Sequence, residues 1–273
     1  MTSPTIAAEA AQTIPQSVPA VAVDRLVKQY GRFEAVRGIS FEVHQGEIFG
    51  LLGPNGAGKT TTIEILIGLR DATSGTIRVL GHDIAKDPAY ARSLIGIQLQ
   101  ESDFFDHLTL AEQLDFLGAC YGMKPDIDAL LRFVELEDRG RWKLKQCSGG
   151  QKQRFAIAAA LVNDPPLVLL DEPSTGLDPA ARRKLWDLIR ALRDSGRTVL
   201  LSTHYMEEAE ALCDRVAIMN EGRIAGIDTP LALIEQLLAT GFKRDVVVRD
   251  ATLEDVFHHL TGRSLADDEA GED

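Results

Sequence analysis

The chain is short of several things, and each shortage removes a class of function. Its 273 residues include three cysteines, Cys120, Cys147 and Cys213. That is an odd number at no metal-ligand spacing, which argues for reduced thiols and against a disulfide framework or zinc site. No apolar stretch approaches the roughly 18 residues that a membrane-spanning helix needs, so membrane attachment is expected through a partner and not by direct insertion. Positive charge is scarce: 29 Lys and Arg stand against 41 Asp and Glu, a net charge of −12. This balance disfavours nucleic acid and anionic lipid as partners. Residues 1–20 are rich in Ala, Thr, Ser and Pro and have neither a basic n-region nor an apolar core; they read as a flexible extension and not as a secretory signal. There is no internal repeat and no heptad run long enough for a coiled coil. The hydrophobic content of 45% is nevertheless ample for a packed core of one or two domains.

What is present starts with Gly53-Pro54-Asn55-Gly56-Ala57-Gly58-Lys59-Thr60-Thr61. An apolar run at 47–52 precedes it and an amphipathic run follows, which is the strand, Gly-rich loop and helix context of a phosphate-binding P-loop. The glycines let the backbone curl so that successive N–H groups converge on a phosphate chain, and a helix starting near Lys59 points its positive end at the same place. Lys59 would reach the β- and γ-phosphates, and Thr60 would offer a hydroxyl to Mg²⁺. An ordinary Gly-rich turn is the alternative, but every fixed position of the motif matches.

A second cluster narrows the machine. Leu167-Val-Leu-Leu-Asp171-Glu172-Pro173 reads as a buried parallel strand that delivers two carboxylates to the carboxyl edge of a sheet, where ligands sit in doubly wound folds. Asp171 suits the Mg²⁺ shell and Glu172 the activation of water. No Asn-Lys-x-Asp motif of guanine-reading GTPases occurs, so adenine is the expected base. Between the clusters lies Cys147-Ser148-Gly149-Gly150-Gln151. Ser148 and Gln151 match a capping box, while the two glycines are expected to leave backbone N–H groups uncovered at a helix start, a second phosphate-binding surface.

With these motifs the chain resembles the nucleotide-binding subunits of ABC (ATP-binding cassette) transporters from about residue 22 to about residue 230. The signature matches the family's Leu-Ser-Gly-Gly-Gln except at Cys147, where a small apolar side chain fills the leucine slot and puts a thiol beside the signature. Further residues fall in the family's order. Tyr30 stands where the family stacks an aromatic on adenine, and Gln100 where a glutamine touches the metal and attacking water. Ser174-Thr-Gly-Leu-Asp178 is similar to the loop that meets the partner subunit, and His204 to the switch histidine near the γ-phosphate. Singly each has an ordinary alternative: a Tyr packs, a Gln or His hydrogen-bonds at the surface, and Asp178-Pro179 caps a helix. The resemblance implies an α/β P-loop NTPase core with a mainly parallel sheet, an antiparallel β subdomain and a small helical insertion at about 101–163. It also implies ATP and Mg²⁺ as cofactors and a second ATP-binding subunit, most simply in a homodimer. An integral membrane permease would hold the subunit on the cytoplasmic face of the cell membrane. In that arrangement each ATP lies between one subunit's 53–61 loop and the other's 148–151 segment, with Asp178 at the interface.

Local patterns fill in the rest. Strands are expected at 76–80, 94–98, 167–171 and 198–202, with a hairpin turn at 220–223. Thr109 and Glu112 form another capping box ahead of Leu110, Leu114 and Leu117, Gly122 suits the stop, and 126–136 reads as a second helix. Phe104, Phe105, Leu108 and Leu110 are expected to form an outward apolar patch that docks the permease. The ATPase domain should span 21–230, followed by a helical accessory region at 231–265 and an acidic tail at 266–273. The segment 251–265 resembles the tail of subunits paired with drug- or polysaccharide-exporting permeases, with Leu253, Val256, Phe257 and Leu260 on one packed face. Soluble family members of the DNA-repair or translation-factor type would need a long coiled coil or two cassettes. A non-hydrolysing sensor or regulator would be expected to lack Glu172 or His204.

Overall fold

The computed structural model describes residues 15, 17–100, 103–242 and 252–261; the expected acidic tail and most of the N-terminal extension lie outside them. Strands β1 (Val21–Tyr30), β2 (Phe33–Val43), β4 (Ser74–Val79) and β5 (His82–Asp83) form an antiparallel sheet in the order β2-β1-β4-β5. Ala20, which composition assigned to the extension, is bonded to this sheet just ahead of β1. It is buried, its N–H donates to Val43 O at 2.8 Å, and its carbonyl accepts from Leu80 N at 2.9 Å, because it is the apolar residue adjoining the ladder.

The second sheet contains β3 (Ile48–Leu52), β6 (Ile95–Gln98), β7 (Leu167–Asp171), β8 (Thr198–Thr203), β9 (Arg215–Asn220) and β10 (Arg223–Asp228) in the order β10-β9-β3-β8-β7-β6. Every pairing is parallel except the β9–β10 hairpin, which turns at Glu221-Gly222 as the sequence indicates. All of β3, β7 and β8 is buried, the continuous apolar pattern of a sheet covered on both faces. Alternate residues divide between two cores. Phe49, Leu51, Leu169 and Leu200 face α1 (Lys59–Leu66), α2 (Pro88–Ser93) and the antiparallel sheet. Ile48, Leu52, Leu170 and Leu201 face the remaining helices: α3 (Leu110–Cys120), α4 (Ile127–Phe133), α5 (Gly149–Ala160), α6 (Pro179–Asp194), α7 (Met206–Leu212), α8 (Pro230–Ala239) and α9 (Leu253–Thr261).

The helical insertion follows its local signals at the start of each helix. Thr109 and Glu112 make the reciprocal capping bonds of α3, and Asp126 accepts from Ala129 N at the head of α4. That second helix is shorter than its apolar pattern suggested. Glu135 turns to a φ of +55° and Leu136 N donates back to Leu131 O at 2.8 Å, a left-handed closure that ends the helix early. The expected outward patch also divides. Leu110 is in the core, and Phe104 packs edge-on against buried Phe155 at 5.0 Å. Phe105 alone of the two rings is exposed, pairing edge-on with Phe116 at 5.1 Å.

Helix α9 seats Leu253, Val256 and Phe257 in the core, and Leu253 N donates to Glu210 Oε1 of α7 at 2.5 Å. Leu260, expected on the same face, is exposed, beyond the end of that seat and against Gly226.

Candidate active site

β3, β8 and β7 are neighbours, so their carboxyl ends bring three segments distant in sequence to one place. The 53–61 loop leaves β3, with Gly53 N donating to Thr203 O at 3.2 Å. A Cβ at Gly53 would stand 2.2 Å from Met219 O, and one at Gly58, whose φ is +101°, 2.6 Å from Ala35 O. Side chains are therefore excluded at both by close backbone approach as well as, at Gly58, by conformation. Gly58 also leaves α1 without a side-chain cap, so the first N–H groups of the helix remain available to an anion.

Lys59 is buried, and its ammonium turns back on the loop, donating to Gly53 O at 2.7 Å and Pro54 O at 3.1 Å. It lies 3.2 Å from Glu172 Oε1. Burial lowers its pKa, and the Glu172 carboxylate opposes that. Asp171 Oδ1 accepts from Ser202 Oγ, and Thr60 Oγ1 is 3.5 Å away; burial pushes this carboxyl above its ordinary value. Glu172 takes a φ of +49°. Successive strand residues point to opposite faces, and this left-handed kink lets both Asp171 and Glu172 reach the same site. Its N–H is held by Ser202 Oγ at 3.0 Å and Ser202 O at 3.2 Å. Glu172 Oε2 accepts from Thr175 Oγ1 at 3.3 Å. His204 Nδ1 lies 3.2 Å from the same oxygen, an ion-pair distance without hydrogen-bond alignment. The His204 contact, opposed by burial and helped by the Lys59 charge, holds Glu172 at about 2, fully ionised at neutral pH.

Lys59, Thr60, Asp171, Glu172 and His204 thus form one cluster. Gly53 and Pro54 meet it through the Lys59 ammonium, and the other expected residues are placed around it. Tyr30 ends β1 half exposed, with Lys28 Nζ 5.0 Å and the Arg70 guanidinium 5.8 Å from its ring. Asn55 and Gly56 are exposed, Ala57 is buried, and Thr61 is half-buried. Gln100 is exposed after β6, whereas Gln98 is buried beside Asp171, its Nε2 donating to Leu99 O at 2.7 Å and lying 3.5 Å from Asp171 O. Its Oε1 is buried with no hydrogen-bond partner. Ser148 and Gln151 cap α5 reciprocally, at 3.3 Å and 2.9 Å. Gly149 is open to solvent, but Gly150 has a packing reason as well: a Cβ there would stand 2.9 Å from Ala181 Cβ on α6. Asp178 accepts from Ala180 N and Ala181 N, both at 2.9 Å, as the cap of α6.

Ser202, Thr175 and Gln98 were not singled out from the sequence. Gln98 ends an otherwise apolar strand and Ser202 directly follows the apolar run at 199–201, which is the signal that was available.

The donor set fits a nucleoside triphosphate with a hard divalent cation: an ammonium resting on carbonyls, uncapped helix N–H groups, and a hydroxyl beside a carboxylate. Residues 36–175 match the protein-family model described as ABC transporter. The Nod factor export ATP-binding protein I of Paraburkholderia xenovorans (strain LB400) is 43% identical over 220 residues, covering 79% of this chain and 72% of that protein. The protein of the same name from Rhizobium meliloti is 42% identical over 229 residues, covering 81% and 68%. Among solved structures, an ATP-binding subunit of an ABC transporter superposes with a TM-score of 0.76 at 31% identity, covering 89% of this chain and 99% of that one. The cbiO1 protein of Clostridium perfringens, part of the ABC transporter complex cbiONQ, gives 0.72 at 28% identity, covering 82% and 96%. A P-loop and an acidic strand end joined across an inserted β8, in a chain of this similarity, identify it as a member of the ABC transporter family, an ATP-binding ATPase subunit that works with a membrane permease.

Proposed function

We propose that the chain hydrolyses ATP at the Lys59, Glu172 and His204 cluster to drive export through a separate permease. The observation that carries this reading is the buried contact of Glu172 with both Lys59 and His204, which links the phosphate loop to an ionised carboxylate and an imidazole. Lys59 exchanges loop carbonyls for the β- and γ-phosphates, the α1 N–H groups take the phosphate oxygens, and Tyr30 receives adenine. Glu172 orients water and accepts its proton, and His204 steadies Glu172 and the γ-phosphate side. Mg²⁺, when bound, neutralises phosphate charge, with Thr60, Asp171 and Gln100 as its protein-side contacts. Phosphate oxygens and water would supply the rest of its shell, as is usual for this cation.

A second copy completes the site, its Ser148 to Gln151 segment facing the γ-phosphate and its Asp178 loop at the contact. Residues 21–230 form the ATPase unit and 231–265 the accessory region. Export is supported by the names of the relatives, and peripheral placement on the cytoplasmic face follows from the permease. Among the described residues no helix is long and apolar enough to cross a membrane. The test is Mg²⁺-dependent ATP turnover by the purified chain, together with recovery of the tagged chain from native membranes. Turnover without Mg²⁺, or membrane recovery without a co-purifying integral protein, overturns it.

A further inference from the structure

α7 starts two residues after His204, and its run Glu207-Glu208-Ala209-Glu210 contains one acid that does not face water. Glu207 and Glu210 are exposed, whereas Glu208 is 0% exposed. A wholly buried carboxyl needs partners from elsewhere in the fold, and those of Glu208 come from three segments. Trp186 Nε1 of α6 donates to Glu208 Oε1 at 3.0 Å. The Thr203 and Ser174 hydroxyls and the Arg182 guanidinium surround the same carboxyl. Thr203 ends β8 and in turn accepts from Tyr205 N at 3.0 Å, so it holds the backbone on both sides of His204. Ser174 opens the 174–178 loop and is itself 0% exposed.

The network is not complete: Arg182 Nε is buried without a hydrogen-bond partner. Glu208 Oε2 and Ser174 Oγ are likewise buried without a fully formed hydrogen bond, yet they stand close enough for the Ser174 hydroxyl to pull the carboxyl's pKa down. Two complementary groups left unbonded side by side in a dry interior are costly, and a small approach would join them. The other arm of the network already reaches the histidine: the Arg182 guanidinium lies over the Tyr205 ring at 4.5 Å, and that ring tilts against His204 at 4.0 Å.

Resting on the assignment of Glu172 and His204 above, we infer that Glu208 is a positioning residue that ties the 174–178 loop to the 203–205 segment. When the loop is pressed at the subunit contact, Ser174 Oγ donates to Glu208 Oε2, and the carboxyl holds Thr203 and Tyr205 so that His204 is set against Glu172. Glu208 touches neither nucleotide nor water. Its effect is therefore on turnover and not on ATP affinity.

The test compares Glu208→Ala, Glu208→Gln, Ser174→Ala and Trp186→Phe in the full chain, with kcat and the KM for ATP measured for each. Glu208→Ala should lower kcat about tenfold or more, a modest share of what an ångström of misplacement can cost, with KM within about twofold. Glu208→Gln keeps an acceptor for Trp186 and offers Ser174 an N–H in place of the second oxygen, so that the hydroxyl accepts where it donated; it should recover kcat to within about threefold. A folded Glu208→Ala with wild-type kcat, a rise in KM matching the loss, or failure of Gln to rescue overturns the inference. If Glu208→Ala does not fold, wild-type kcat in both Ser174→Ala and Trp186→Phe overturns it. His204→Ala separates the two levels: loss of turnover there with normal Glu208 variants overturns this inference alone, whereas retained turnover in His204→Ala overturns the site assignment beneath it.

Discussion

Lys59 and Glu172 are each other's charge partner: 3.2 Å separates Nζ from Oε1, and both side chains are more than nine-tenths buried. Breaking a buried pair by removing one member ordinarily leaves an uncompensated charge, but here the ammonium also rests on two carbonyls. A triphosphate entering the loop competes with Glu172 for the same ammonium. Binding and hydrolysis therefore make opposite demands on this carboxylate.

Replacing it exposes that conflict. Glu172→Gln should slow hydrolysis at least about a hundredfold, the scale of a lost general base, while ATP binds as tightly as to the wild type or more tightly. The variant should accumulate as an ATP-held dimer. Turnover assays, titration with a fluorescent ATP analogue and size-exclusion chromatography check this; weaker ATP binding would show that the pair does not oppose the nucleotide.

Glu208 predicts a pH signature of stability. Burial holds its carboxyl above the ordinary value of 4.5, against the pull of Thr203, Ser174, Trp186 and Arg182. For an acid raised on folding, the unfolded chain releases the proton first. The stability of the protonated form is full below about 4.5 and is lost as pH rises through the folded value. Glutamine cannot ionise, so Glu208→Gln should melt with the wild type near pH 4 and at least about 2 °C above it near pH 8. An equal difference at both pH values would be the failing result in thermal scans.

The cysteines should be sharply ranked. Cys120 is exposed, whereas Cys147 and Cys213 are buried and burial pushes both thiols upward. The thiol that Cys147 puts beside the signature fills the apolar slot, with Sγ 3.9 Å from Lys143 O, and burial favours its protonated, less nucleophilic form. A maleimide at neutral pH should modify Cys120 first, and Cys120→Ser should abolish the fast adduct. Peptide mapping that finds the fast adduct on Cys147 would reverse the ranking.

Phe104 and Phe105 should part company. Phe104→Ser removes the ring packed on Phe155 and should cost about 2 kcal/mol in urea unfolding. Phe105→Ser should stay within about 0.5 kcal/mol of the wild type, keep ATP turnover, and lose recovery with membranes. Unchanged membrane recovery of Phe105→Ser would place the permease contact elsewhere.

Much of this was legible because the signals are local. The capping boxes at Thr109 and Ser148, the Asp178-Pro179 start of α6 and the Glu221-Gly222 turn each depend on residues within four positions of one another. The phosphate loop and the Asp171-Glu172 strand end were equally plain. Gln98, Ser202 and Glu208 were not, since their roles are set by contacts across 73, 31 and 22 positions. Glu208 hid inside a run of acids that reads as a solvated face. Its one clue is the spacing to Leu212, four residues on, which is buried on the same helix. The division between Phe104 and Phe105 was invisible for a similar reason: adjacent rings have identical composition signals, and the Phe155 side chain decides which one turns inward.

The place of β8 also decides when, during synthesis, the site can close. The strand at 198–203 is bonded on one side to β3 and on the other to β7, yet it is the last of the three to leave the ribosome. A nascent chain that ends before it already contains the phosphate loop and both carboxylates, but on strands with no bonded neighbour between them. Nucleotide can stabilise only a folded site, so ATP offers the growing chain no protection until Thr203 has emerged. Up to that point the apolar edges of β3 and β7 that β8 covers are open to wrong pairings.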